Sequence, residues 1–130
     1  MTAIDTNVLV RIVTHDDPVQ TTRALALLEN DTVHIPVTVI LEAEWVLRYC
    51  YDLPPAQVVH VFRSIVGTSG IVIDDRDTVV RAVELHAHGM DFADALHVAL
   101  ADRQADRFCT FDKKLVQGAR RQSVASVVLL

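Results

Sequence analysis

Short apolar runs bounded by polar turns alternate along this chain with longer segments of helical spacing. Ala3 to Ile12 opens with a short apolar strand that ends near Asp5. Thr14-His15-Asp16-Asp17-Pro18 reads as a turn with capping residues, and Gln20 to Glu29 has helical spacing with Ala24, Leu27 and Leu28 on one side. Val33 to Pro36 reads as a second strand. Val37 to Tyr51 reads as a long helix, apolar almost all round as in a helix packed on several sides. Beyond the break at Leu53-Pro54-Pro55, Ala56 to Val66 is helical with Val58, Val59, Phe62 and Ile65 facing inward. Ile71-Val72-Ile73 is a strand, and Asp75 or Asp77 caps a helix that runs to His88 and stops at Gly89. Asp91 caps the next helix, to about Gln104. Arg107 to Thr110 is a strand ending at Asp112, Lys113 to Arg121 a short helix or turn, and Val124 to Leu130 a last apolar strand. Strands alternating with helices predict an α/β fold with a mainly parallel sheet.

At 130 residues the chain is expected to be one domain with a core of its own. Hydrophobic residues make up 51%, and mean hydropathy is +0.28. That surplus predicts either a large core or an interface with an oligomer or partner. The net charge of −5 argues against a protein that coats nucleic acid, which would be basic. It leaves room for a nuclease, because bound divalent ions reverse the local field. Cys50 and Cys109 have no metal-type spacing and are expected to be reduced and partly buried in a cytosolic protein. The start, Met1-Thr2-Ala3-Ile4-Asp5, has no basic segment followed by an apolar stretch, so no signal peptide is expected. No apolar run approaches the ~20 residues of a membrane span.

Four acids stand where hydrophobic elements meet turns or helix starts: Asp5 in Ala3-Ile4-Asp5-Thr6-Asn7, Glu42 in Leu41-Glu42-Ala43-Glu44-Trp45, Asp94 in Asp91-Phe92-Ala93-Asp94-Ala95-Leu96-His97, and Asp112 after Cys109-Thr110-Phe111. A buried carboxylate is costly unless something positive satisfies it. In open parallel sheets ligands bind beyond the carboxyl ends of the strands, the position expected for Asp5 and Asp112. Glu42 shares a helical stripe with Val46 and Tyr49 and is expected to face packed surroundings. Glu44, on the stripe of Ile40, Leu47 and Tyr51, competes with it. Asp91 and Asp94 are neighbours on one helix face. Asp91 has the position of an N-cap and Asp94 that of the third helical residue, so both also suit a plain capping role. Each acid alone also fits an ordinary cap, turn or exposed helix position.

The four acids in this order resemble the PIN domain, a metal-dependent ribonuclease fold, and in particular the VapC-type toxins of toxin–antitoxin pairs. The resemblance covers nearly the whole chain. It implies one three-layer domain over residues 1–130, with a mainly parallel central sheet of four to five strands flanked by helices. The family pattern of a Glu followed five residues later by a Leu selects Glu42 with Leu47. Its Asp-Ala-Leu ahead of an Ala-rich helix selects Asp94, and its Thr, one residue, then Asp selects Thr110 and Asp112. The resemblance implies that Asp5, Glu42, Asp94 and Asp112 are both catalytic residues and ligands of Mg²⁺ or Mn²⁺, a hard ion suited to carboxylate oxygens. Thr6, Asn7, Asp91 and Thr110 are expected to support them. The implied reaction is hydrolysis of RNA phosphodiester bonds, with an antitoxin and a second copy of the chain as partners, in the cytoplasm and away from membranes.

Arg11, His97, Lys113 and Lys114 are candidate RNA contacts, and Arg120 and Arg121 carry further positive charge. The run Asp74-Asp75-Arg76-Asp77 reads as a solvated helix start. An RNA-processing PIN nuclease without an antitoxin, and a PIN-fold protein that binds without cleaving, remain alternatives. A phosphoacceptor receiver domain fits poorly, because Asp52 follows helix residues and the first strand lacks paired acids. An aspartyl-nucleophile phosphatase would need a second Asp where Asn7 stands.

Overall fold

The computed structural model describes all residues from Met1 to Leu130 and divides them into two compact units, Met1–Arg76 and Asp77–Leu130. In the first, strand β1 (Thr2–Ala3) leads into helices α1 (Thr6–Thr14) and α2 (Pro18–Asn30). Strand β2 (Val33–Ile35) follows, then helices α3 (Val37–Tyr49) and α4 (Pro55–Val66), and strand β3 (Ile71–Ile73). The strands pair in parallel in the order β1-β2-β3, with Thr2 opposite Val33 and Val33 opposite Ile71. Parallel pairing requires each crossover to pass over the sheet, and the helix pairs α1–α2 and α3–α4 supply it. Ile4, Leu9, Val10, Val33, Ile35, Ile40, Leu47 and Phe62 are buried. Val33 and Ile35 are fully covered, as parallel strands with helices packed on them require.

In the second unit helix α5 (Arg76–Ala87, whose first residue closes the first unit) is followed by helix α6 (Phe92–Ala101). Strand β4 (Phe108–Thr110), helix α7 (Lys113–Arg121) and strand β5 (Val127–Leu129) complete the chain. β4 and β5 are parallel, with Phe108 opposite Val127. Val79, Val83, Phe92, Leu96, Val98, Leu115 and Val116 are buried. Gly89 closes α5 at φ 107°, a left-handed value open to glycine at no steric penalty. No helix is long and apolar enough to cross a membrane.

The α/β class and the parallel pairing are as the sequence predicts, with the five strands hydrogen-bonded in sets of three and two. The first strand ends before Asp5, as expected, and two local expectations are corrected. The segment after Asp5, to which the sequence reading assigned no element, is the helix α1. Its β-branched residues Val8, Val10, Ile12 and Val13 look strand-like, yet Asp5 caps the segment and Leu9 and Val10 bury one face of it. Glu42 does not face packed surroundings: it and Tyr49 are exposed and Val46 is half-buried. The packed stripe is that of Glu44, which is 2% exposed beside buried Ile40 and Leu47. Cys50 and Cys109 are unpaired as expected, but both are exposed.

Candidate active site

Asp5 stands two residues beyond β1 and opens α1. Its carboxylate accepts the backbone N–H of Val8 at 3.0 Å, satisfying one of the orphan amides of the helix start. One oxygen makes that bond, and the side chain remains exposed. Asp5, Thr6, Asn7, Thr38, Val39 and Glu42 line a cleft of about 290 Å³. The beginnings of α1 and α3 therefore bring two of the four acids to one concavity. The exposure of Glu42, contrary to expectation, is what makes it available to a ligand. Glu44 is not available: Arg48 holds it through Nε at 2.8 Å and through its terminal nitrogen at 3.2 Å, a two-pronged ion pair one helical turn apart. Thr6 is buried at the floor and Asn7 is exposed at the rim.

The second unit carries the other two. Asp91 caps α6 by accepting the backbone N–H of Asp94 at 3.1 Å. Asp94 is half-buried in the first turn, and its pKa is raised. Burial contributes most, followed by the negative charges of Asp91 and Asp112, with His97 acting in the opposite sense. Asp112 caps α7, accepting N–H groups from Lys114 at 2.8 Å and Leu115 at 3.2 Å. Its own N–H donates to the Thr110 hydroxyl at 3.0 Å, so Thr110 sets the turn that presents Asp112. Two helix starts thus hold Asp94 and Asp112 within electrostatic reach of each other, with Asp91 between cap and charge.

The candidate RNA contacts differ in freedom. His97, Lys113 and Lys114 are exposed. Arg11 is held by Gln20 at 2.7 Å and by Asp16 and the Tyr51 hydroxyl, each at 3.1 Å. That three-way hold, which the sequence spacing of residues 11, 16, 20 and 51 does not reveal, makes Arg11 a fixed cation on the α1 surface.

No group of three or more His, Cys, Asp or Glu side chains is gathered closely enough to form a closed metal cage. Mg²⁺ is ordinarily held by one or two carboxylates, its own waters and substrate phosphates rather than by such a cage. The donor chemistry fits a hard divalent ion: every candidate ligand is a carboxylate, and Asp94 carries the raised pKa of an acid among acids.

Asp5 and Asp112 stand just beyond the C-terminal ends of β1 and β4 and each caps a helix, the position where ligands bind in parallel α/β sheets. A family model described as PIN domain matches residues 2–120. The chain belongs to the PIN domain family, whose fold is of the nuclease type and whose members generally use divalent metal ions. A comparison with curated proteins finds no match.

Proposed function

We propose that this chain is a metal-dependent endoribonuclease and the toxin of a VapBC-type toxin–antitoxin pair. The observation that carries the enzymatic part is the grouping of Asp91, Asp94 and Asp112 at the starts of α6 and α7, where backbone amides fix Asp91 and Asp112 and both charges add to burial in raising the Asp94 pKa. Such a cluster is stable in its charged form at neutral pH when a cation accompanies it. Asp5, Glu42, Asp94 and Asp112 serve as the ligands, and Mg²⁺ or Mn²⁺ as the ion. When bound, the ion lowers the pKa of a water and stabilises negative charge on the scissile phosphate. The backbone amides that Asp5 and Asp112 cap hold each carboxylate in one orientation, which would limit the reorganisation either needs to hold an ion. Glu42, exposed on α3 beside Asp5, would hold the ion or orient the water that attacks. Lys113 and Lys114 sit at the N-terminal end of α7, where the helix dipole disfavours cations, so their placement is better explained by an anionic substrate than by helix stability.

The toxin role is supported by the family and by exposed apolar surface. Trp45 and Tyr49 are 53% and 58% exposed, with ring centroids 5.3 Å apart on α3. Such a pair suits a protein interface, either with a second copy of the chain or with an antitoxin. The test is controlled expression in bacterial cytoplasm, scored for growth arrest and RNA fragments. Wild type is expected to arrest growth and Asp94→Asn is not, and co-expression of a cognate antitoxin, sought as a short reading frame beside the gene, is expected to restore growth. Fragments produced equally by Asp94→Asn would contradict the proposal.

A further inference from the structure

A second concavity opens from Asp5, on the side of α1 that faces α2. It has a volume of about 320 Å³, at the small end for ligand pockets. One wall is Val8 and Arg11 of α1, the other Arg23, Ala24 and Leu27 of α2. These are helical stripes: residues 20, 23, 24 and 27 recur at the spacing of one face, and residues 7, 8 and 11 do the same across the groove. From Asp5 to Arg11 the groove follows six residues of helix, roughly 9 Å.

Its chemistry is divided. Val8, Ala24 and Leu27 present an apolar slot. Arg11 is fixed at the far end by Gln20, Asp16 and Tyr51. Arg23 is exposed at the rim and has no acidic partner among the ion pairs. An apolar slot bounded by a fixed and a free guanidinium, and opening onto a carboxylate, matches a flat ring joined to phosphate. It suits neither a purely apolar ligand nor a bare anion. Its length admits one such unit.

Given the nuclease reading, on which this assignment rests, the geometry points to a nucleotide subsite. The base of the residue flanking the scissile phosphate enters between Val8 and Leu27, and the next phosphate along the strand is met by Arg23. Apolar side chains accept any base face, and guanidinium supplies the charge-assisted contact to phosphate. The subsite would make cleavage sensitive to the presence of a base at that position and give the enzyme a grip on single-stranded rather than duplex RNA, whose bases are stacked inside.

The test uses the full chain with two independent readouts. In the first, uridine and adenosine 5′-monophosphates and inorganic phosphate are titrated while backbone amide NMR shifts are followed. The nucleotides are expected to shift Val8, Ala24 and Leu27 saturably, and phosphate far more weakly. In the second, short RNAs carrying one abasic residue beside the cleaved bond are compared with intact RNA. Wild type is expected to show KM at least fivefold higher on the abasic substrate. Leu27→Trp, which fills the slot, is expected to raise KM on intact RNA by a similar factor, more than it lowers kcat, and to lose the distinction between the substrates. Arg23→Ala is expected to raise KM, and Arg23→Lys to recover part of it. Nucleotides that leave the groove amides unmoved, or a basic apolar peptide that moves them while nucleotides do not, would overturn the assignment. So would an abasic substrate cleaved with unchanged KM. RNA left intact while the nucleotide shifts persist would instead contradict the nuclease reading and leave the groove a nucleotide site.

Discussion

The Asp91 carboxylate accepts the backbone N–H of Asp94 at 3.1 Å, and burial first, then the charge of that same carboxylate, pushes the Asp94 side chain toward protonation. The helix start is thereby stabilised by a group that destabilises the charge placed next to it. A fold with no need for charge at residue 94 would gain by replacing it. A carboxylate placed among other carboxylates with a raised pKa is a candidate for holding a cation.

Removal of that charge stabilises the metal-free protein. The pKa of Asp94 is raised in the folded state, so its contribution is favourable below the ordinary carboxylate pKa and is lost as pH rises through the raised value. At pH 7 Asp94→Asn is therefore expected to melt slightly higher than wild type in the presence of chelator, the difference kept small by solvent around the half-buried carboxylate. Added Mg²⁺ raises the wild-type midpoint and leaves the variant unmoved. Thermal melts at pH 4 and pH 7 with and without Mg²⁺ check this, and the difference between variants shrinks at pH 4.

Cap and ligand roles of Asp5 separate by choice of substitution. Asparagine caps a helix about as well as aspartate, so Asp5→Asn changes stability by a few tenths of a kcal/mol at most, while Asp5→Ala costs about 1 kcal/mol. Both are expected to reduce RNA cleavage at least about a hundredfold, the scale of losing metal-assisted charge stabilisation. Urea denaturation and a fluorescent RNA assay on the same preparations decide it. The same comparison at Asp112 has the same expected outcome.

The two glutamates of α3 have opposite phenotypes. Glu42→Gln abolishes cleavage and leaves stability within about 0.5 kcal/mol, because the side chain is exposed. Glu44→Gln weakens the two-pronged bond to Arg48 at a buried position and costs about 1–2 kcal/mol, discounted because Arg48 is partly solvated. Its cleavage rate per folded molecule is unchanged. The reverse pattern would assign the ligand to Glu44.

Much of this was legible in the chain. Asp91 caps a helix where the sequence puts a cap, and the strand Ile71–Ile73 and the helix Lys113–Arg121 have the bounds read from the pattern. Helix α1 was hidden because its core residues are β-branched and its cap is also the candidate ligand. Propensity points to a strand there, and burial against the neighbouring helices decides otherwise. The facing of Glu42 and Glu44 was not legible either. In a helix apolar nearly all round no stripe is marked as outward, and only Arg48, one turn beyond Glu44, hints at which glutamate is paired inside.

Tyr51 and Asp16 tie the loop after α1 to the end of α3. The Tyr51 hydroxyl donates to Asp16 and lowers its pKa, with Thr14 and Arg11 adding to the effect and desolvation opposing it. The stability this supplies is present above the ordinary carboxylate pKa and is lost as pH falls through the lowered one. Tyr51→Phe is expected to move the Asp16 titration, followed by carboxyl NMR, upward toward the ordinary value and to steepen the loss of stability on acidification. An unmoved titration would show that the hydroxyl does not hold the carboxylate.

Calorimetric titration of Mn²⁺ into wild type, Asp5→Asn and Asp94→Asn, each verified as folded, tests the central claim most directly. If Asp5 and Asp94 are both ligands of the cation, as proposed, each single substitution weakens binding at least tenfold, and RNA cleavage by wild type stops in chelator and returns with Mn²⁺. Wild-type affinity in either variant, or cleavage that continues in chelator, would contradict it.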